Sequence, residues 1–120
     1  MTGFKSLIVY QKAFCLAMDI FNFSKDFPKE EIFSLTSQIR RSSRSVCSNI
    51  AEGYRKRQYE AYFINKMSDA DMENSETQVW LDFSLGCKYI PEEIYTDFAS
   101  RSKDIGRLIH SMIENPQKFK

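Results

Sequence analysis

An all-α fold, an antiparallel up-down-up-down four-helix bundle, is what this 120-residue sequence predicts. Three observations point there. Apolar residues recur at three- and four-residue spacing in four long segments. The chain holds only four glycines and three prolines, and Pro28, Pro91 and Pro116 stand where those segments break. The connections are short, which forces successive helices to run antiparallel. No repeat, low-complexity segment or strand pattern interrupts this organisation. Residues 1–120 therefore read as one domain, long enough to bury about two-thirds of its unfolded surface without disulfides or metals.

The first helix is expected from about Ser6, as N-cap, to about Lys25. Leu7, Tyr10, Phe14, Ala17 and Phe21 form one apolar stripe along it; Val9, Ala13, Leu16, Ile20 and Phe23 form a second, and so wide an arc needs partners on two sides. The second helix follows Pro28 with Glu30 and Glu31 in its first turn, unless Ser34 caps a later start. Its core line is Ile32, Leu35, Ile39, Ser43, Val46 and Ile50. Gly53 is the natural residue to end it in a left-handed conformation. The third helix runs from about Gln58 to Lys88, roughly 45 Å at 1.5 Å per residue, with Phe63, Met67, Ala70, Asn74, Thr77, Leu81 and Leu85 inward. The fourth opens at Pro91 with Glu92 and Glu93 in its first turn. It presents Ile94, Phe98, Ile105, Leu108, Ile109 and Met112 before Asn115 and Pro116 close it.

The third helix has more apolar surface than one core needs. Met72, Val79 and Phe83 fall about 180° from the Ala70, Thr77 and Leu81 line, and Trp80 flanks them. In a four-helix bundle no helix is central, so an outward apolar stripe predicts burial by assembly into a homo-oligomer. The competing register turns Val79 and Phe83 inward and leaves the polar Asn74 and Thr77 outside.

With 42% hydrophobic, 14% aromatic and 28% charged residues the chain is too apolar for disorder and too interrupted by charge for a membrane span. The apolar run Leu7–Tyr10 is cut short by Gln11 and Lys12 with no cleavage site after it, so no signal peptide is read and a soluble cytoplasmic protein is expected. Cys15, Cys47 and Cys87 are far apart and odd in number, which fits small buried hydrophobes in a reducing compartment. No catalytic constellation is visible. His110, the single histidine, has Arg107 where a di-iron motif needs an acid, and nothing implies a nucleophile or orienting partner for it. Asp69, Asp71, Glu73 and Glu76 cluster on the third helix, but a straight helix cannot wrap a cation, so they read as partners for arginines or as a solvated face. No cofactor and no metal are expected.

Charge is unevenly spread although the net is only +1: residues 1–60 carry ten Lys/Arg against six Asp/Glu, and residues 61–120 carry seven against ten. Arg40, Arg41 and Arg44 on the second helix are followed by Arg55, Lys56 and Arg57 in the turn, with Tyr54 and Tyr59 interleaved. Guanidinium forks suit phosphate oxygens and adjacent rings can stack on unpaired bases, which makes these six residues the candidate nucleic-acid contacts. The alternative is a protein-only scaffold in which the arginines pair with Asp69, Glu73 and Glu76 within or between subunits.

The run Phe27-Pro28, Leu35, Gln38-Ile39-Arg40-Arg41, Ser45-Val46 and Ser48-Asn49-Ile50-Ala51-Glu52-Gly53, with Glu76-Thr77-Gln78 and Leu85-Gly86 further on, resembles the four-helix-bundle proteins named for the 23S rRNA intervening sequence. The similarity spans nearly the whole chain and departs at Asp69 to Asp71, where relatives carry small residues. The resemblance implies a ring-like homo-oligomer, a pentamer in characterised members. It also implies kinship with the accessory variability protein of diversity-generating retroelements, whose basic barrel engages reverse transcriptase and nucleic acid. On that likeness Arg40, Arg41, Arg44 and Arg55 are the residues carried over as contacts. Together the residues and the resemblance predict a non-enzymatic homo-oligomer that binds RNA, DNA or a protein acting on them.

Overall fold

A computed structural model describes residues 2–120. Four helices run α1 (Ile8–Ser24), α2 (Leu35–Arg55), α3 (Glu60–Gly86) and α4 (Glu92–Glu114), with short 3-10 turns at Gly3–Ser6, Lys29–Glu31 and Pro116–Phe119. Among the described residues there is no strand, and no helix is long and apolar enough to cross a membrane. Each helix packs on its neighbours around a square, α1 on α2, α2 on α3, α3 on α4 and α4 on α1, while the diagonal pairs scarcely meet. This is the antiparallel four-helix bundle the sequence predicts, 44 Å long and 25 Å across.

The buried surfaces follow the expected stripes. Val9, Ala13, Leu16 and Ile20 of α1, Ile39, Val46 and Ile50 of α2, Phe63, Met67 and Leu81 of α3, and Ile105, Ile109 and Met112 of α4 fill one core. The outer stripe of α1 is only half covered, since Phe14 stays 49% exposed although Ala17 is buried.

A polar layer crosses the middle of this core. The Ser42 and Thr77 hydroxyls share a hydrogen bond of 2.8 Å between α2 and α3. Asn74 Nδ2 donates to the Ser102 carbonyl at 2.8 Å while Ser102 Oγ donates back to Asn74 Oδ1 at 2.9 Å. Gln78 Nε2 adds a donation to Ser102 Oγ at 3.0 Å. Asn74 and Thr77 are 2% and 1% exposed, so the register that places them outside is excluded.

Helix ends depart from expectation in four places. Helix α1 starts at Ile8, because Leu7 is extended and the Ser6 hydroxyl donates to Gly3 O instead of capping. Helix α2 begins after Ser34, the later of the two starts considered, and Ile32 lies before it, 47% exposed and outside the core line. There the Ser34 hydroxyl and the Leu35 amide both turn to the Glu31 carboxylate, which also accepts a 2.8 Å bond from Tyr89 Oη. Those bonds, the Ser34 one foremost, hold the Glu31 carboxyl below its ordinary range, and the same carboxylate pushes the Tyr89 phenol up to about 12. Helix α3 spans Glu60–Gly86 and is followed by Lys88 in the left-handed region (φ 63°), and the inward position near its end is Ser84, with Leu85 half-buried.

Gly53 is the fourth departure. It does not end α2; it is helical, buried, and followed by two further helical residues. A Cβ on Gly53 would meet Lys66 Cβ at 2.9 Å, so this glycine leaves room for α3 where a side chain would not fit. The cysteines also depart: Cys15 and Cys87 are exposed and only Cys47 is largely covered, with burial pushing its thiol up to about 11.

Gly53→Ala should destabilise by about 1–3 kcal/mol, because the added methyl would overlap Lys66 Cβ and push α3 away from α2. Gly86, also helical but with nothing within 4 Å of an added Cβ, is the control. Gly86→Ala should stabilise by about 0.4–1 kcal/mol through the unfolded chain. Urea melts of both variants decide the matter, since a gain in stability at Gly53 would show that close approach is not its role.

Candidate nucleic-acid interface and assembly face

The arginine run on α2 divides by partner. Arg41 reaches across to α3, with Nη1 on Glu73 Oε2 at 2.8 Å, Nη2 on Glu76 Oε2, and Nε donating to Gln38 Oε1 at 3.1 Å. The Glu76 hydrogen bond is the main reason the guanidinium is held even more firmly charged than usual. Arg40 and Arg44 turn the other way, toward α1. Arg40 Nε donates to Ser24 Oγ at 2.8 Å, and the Arg40 and Arg44 guanidiniums lie 4.7 and 5.2 Å from the centre of the Phe21 ring. Three guanidiniums of α2 thus line an open groove of about 560 Å³, with Ile32, Ser37, Ser45 and Ser48 as its remaining walls. No carboxylate is among those walls, since Glu73 and Glu76 sit behind Arg41.

The second basic group stands three turns away. Arg55 is exposed at the end of α2, and Lys56 lies 5.2 Å from the Tyr62 ring. Arg57 folds back, Nη1 donating to Tyr54 O at 2.9 Å with its guanidinium 4.1 Å from the Tyr54 ring. The six candidate contacts therefore form two clusters and not one patch. Of the acidic group, Glu73 and Glu76 hold Arg41, Asp71 stands 3.4 Å from His110 Nε2, and Asp69 is exposed. Within one chain and among the described residues, the arginine that pairs with this acidic cluster is Arg41.

The outward apolar stripe of α3 lies where the helical period puts it. Met72, Val79 and Phe83 are 62%, 47% and 56% exposed along the outer side of α3. Trp80 lies between that stripe and the core, its ring 5.9 Å from Phe83 and its indole N–H buried without an acceptor among the described residues. Phe33, 95% exposed in the α1–α2 connection, is a further outward apolar residue. Sequence reasoning did not single out Phe33, or Phe21, Ser24 and Lys25 of α1, which complete the surroundings of Arg40 and Arg44. The spacing of Phe14, Met18, Phe21 and Lys25 on one side of α1 is the signal that could have found Phe21 and Lys25.

Among the described residues, no three His, Cys, Asp or Glu side chains converge as a metal site needs. His110 is at the bundle edge with its side chain 63% exposed. What these surfaces offer chemically is contact: charge on the α1/α2 edge and apolar area on α3.

The roles of the α2 arginines can be separated by salt. Arg41→Gln should lower stability by about 0–1 kcal/mol, as exposed ion pairs do, and the loss should shrink in high salt. Arg44→Gln, which breaks no ion pair, should show no such salt dependence in thermal melts. Equal behaviour of the two variants would overturn this division of labour.

The model of the 23S rRNA-intervening sequence protein family matches residues 5–111. No curated protein matches the chain. Among solved structures, a protein with unknown function from the S23 ribosomal protein family of Bacteroides thetaiotaomicron, determined at 1.70 Å resolution, is similar to it. The two share 34% identity and superpose with a TM-score of 0.81, over 89% of this chain and 96% of that one.

Proposed function

The chain belongs to the 23S rRNA-intervening sequence protein family, and from that premise we propose that it is a non-enzymatic, homo-oligomeric bundle that works by contact. The observation that carries this reading is the outward stripe Met72, Val79 and Phe83 on a helix whose opposite side already fills the core. The stripe extends about 16 Å along α3. A helix apolar on both sides is expected to bury the second by association. The ring of five that the family likeness suggests needs a head-to-tail contact, in which the stripe meets a different surface of the next copy. Phe33 and Ile32, exposed at one end of the bundle, provide unlike apolar surface for it.

Light scattering on the full chain tests this. A mass several times the 14.1 kDa of one chain is expected, and Val79→Glu with Phe83→Glu should return it to one chain without loss of helical content. A wild-type protein that runs as a monomer at micromolar concentration would overturn the assembly reading.

A second reading, nucleic-acid contact through the α2 edge, is favoured by one feature: the groove whose charged walls are Arg40, Arg41 and Arg44. Its partners would be RNA or DNA, or a protein that processes them. Phosphate neutralisation makes such binding fall linearly in log affinity against log salt. Titration of a labelled oligonucleotide should show that slope, with Arg40→Glu plus Arg44→Glu abolishing binding. If wild type binds nothing at low salt, a protein-only scaffold is left as the function.

A further inference from the structure

We propose that Lys25, Arg40 and Arg44, gathered around the ring of Phe21, form a phosphate site for single-stranded nucleic acid, with the aromatic end of the same α1/α2 edge as its base-stacking platform. This rests on the nucleic-acid reading above and names its site and ligand.

Three cations converge on one ring. Lys25 Nζ lies 4.9 Å from the Phe21 centroid, beside the Arg40 and Arg44 guanidiniums at 4.7 and 5.2 Å. Among the described residues no carboxylate stands within ion-pair distance of any of them, whereas Arg41, one residue from Arg40, holds two. The ring face attracts each cation, but like charges so close repel one another, and an oxyanion among them removes that repulsion. Arg40 spends its Nε on Ser24 Oγ, which fixes the plane of the guanidinium and leaves both terminal nitrogens free for a bidentate contact. Two helices contribute to the cluster, so it exists only in the folded bundle.

The neighbouring surface selects the kind of polyanion. Arg44 also lines a second, apolar groove of about 380 Å³ whose walls include Phe4, Tyr10, Phe14 and Met18. Tyr10 and Phe14 are stacked at 6.2 Å and Phe4 meets Tyr10 edge-on at 5.0 Å. Phe14 is 49% exposed and Met18 41%. Phe14, Met18, Phe21 and Lys25 follow one stripe of α1, and Phe14 precedes Phe21 by about 10 Å. A strand with its phosphates on Lys25, Arg40 and Arg44 thereby has open aromatic surface within reach of its bases. A duplex has its bases stacked internally and gains nothing from Phe14, and an acidic peptide has no flat rings to lay on it. Farther along α2, Arg55 lies on the same side as Arg44, three turns and about 16 Å on, where a continuing backbone would meet it.

The test measures binding of the full chain to a 20-nucleotide single strand, the matching duplex and polyglutamate, at low salt. Variants are Lys25→Gln, Arg44→Gln, Phe14→Ala and, as comparison, Arg55→Gln with Lys56→Gln. Wild type should prefer the single strand. Lys25→Gln and Arg44→Gln should each weaken it about tenfold with a shallower salt slope, and Phe14→Ala should weaken it by about fivefold or more without changing that slope. Thermal melts and solution mass of each variant should match wild type, which separates lost contacts from lost structure. Strand binding that survives Lys25→Gln and Arg44→Gln but falls with Arg55→Gln and Lys56→Gln would overturn this site and leave the broader reading standing. Equal affinity for the duplex or for polyglutamate would overturn the choice of ligand. No binding of any of the three would remove both.

Discussion

The rotation of α3 about its own axis is the constraint on which the rest of the molecule depends. Hydrophobicity alone does not set it, because the helix is apolar on two sides: Met67, Ala70 and Leu81 on one, Met72, Val79 and Phe83 on the other. What chooses between them is the polar layer. Asn74 finds both a donor and an acceptor on Ser102 of α4, and Thr77 finds Ser42 of α2. Hydrogen bonds of this kind contribute only about 1 kcal/mol each when made. Burying the same groups unpaired costs about 1–3 kcal/mol apiece, and half a turn would take from Ser102 both of its bonds to Asn74 and leave Ser42 only the Ile39 carbonyl of its own helix. Gly53 acts in the same direction, since its missing side chain lets Lys66 Cβ, and with it α3, come close to α2 at one register.

From that rotation the outer surface follows. With Asn74 and Thr77 inward, Glu73 and Glu76 are carried to the α2 side, where Arg41 reaches both, and Met72, Val79 and Phe83 have no place but outside. The outward apolar stripe is thus a consequence of how the core is specified, and so is the loss of Arg41 as a free cation.

The core lines and the number of helices were legible because they depend on a period within one segment, which sequence shows directly. Even Asn74 and Thr77, polar yet inward, fell on the right line by spacing. The misreadings have a different cause: each concerns a partner, a few residues away or on another helix, that the helical period does not reveal. Gly53 reads as a helix end from its own conformational freedom, and only the crossing of α3 reveals that space is what it supplies. Ser6 and Ser34 have good capping chemistry, but Gly3 O and Glu31 compete for their hydroxyls. Cys15 and Cys87 were expected inside on composition, and burial of a small residue depends on which side of a helix the neighbour covers. The candidate site divides in the same way. Arg40, Arg41 and Arg44 are conspicuous as a run, whereas Phe21, Ser24 and Lys25 sit fifteen or more residues before Arg40, and the α1/α2 register that joins them is a tertiary fact.

The charge asymmetry between the two halves of the chain can now be divided into a structural share and a remainder. Arg41 with Glu73 and Glu76, and Glu52 with Lys66, join α2 to α3; Arg101 with Asp19 joins α4 to α1. Those pairs account for charges that sequence alone offered equally to a polyanion. The remainder is not evenly scattered. Lys25, Arg40 and Arg44 lie together on one edge, held against a ring and not a carboxylate, and beside them the aromatic stripe of α1 is left uncovered by the bundle. Charge that a fold needs for itself is neutralised inside the fold; charge held in place by an uncharged group is still free to neutralise something else.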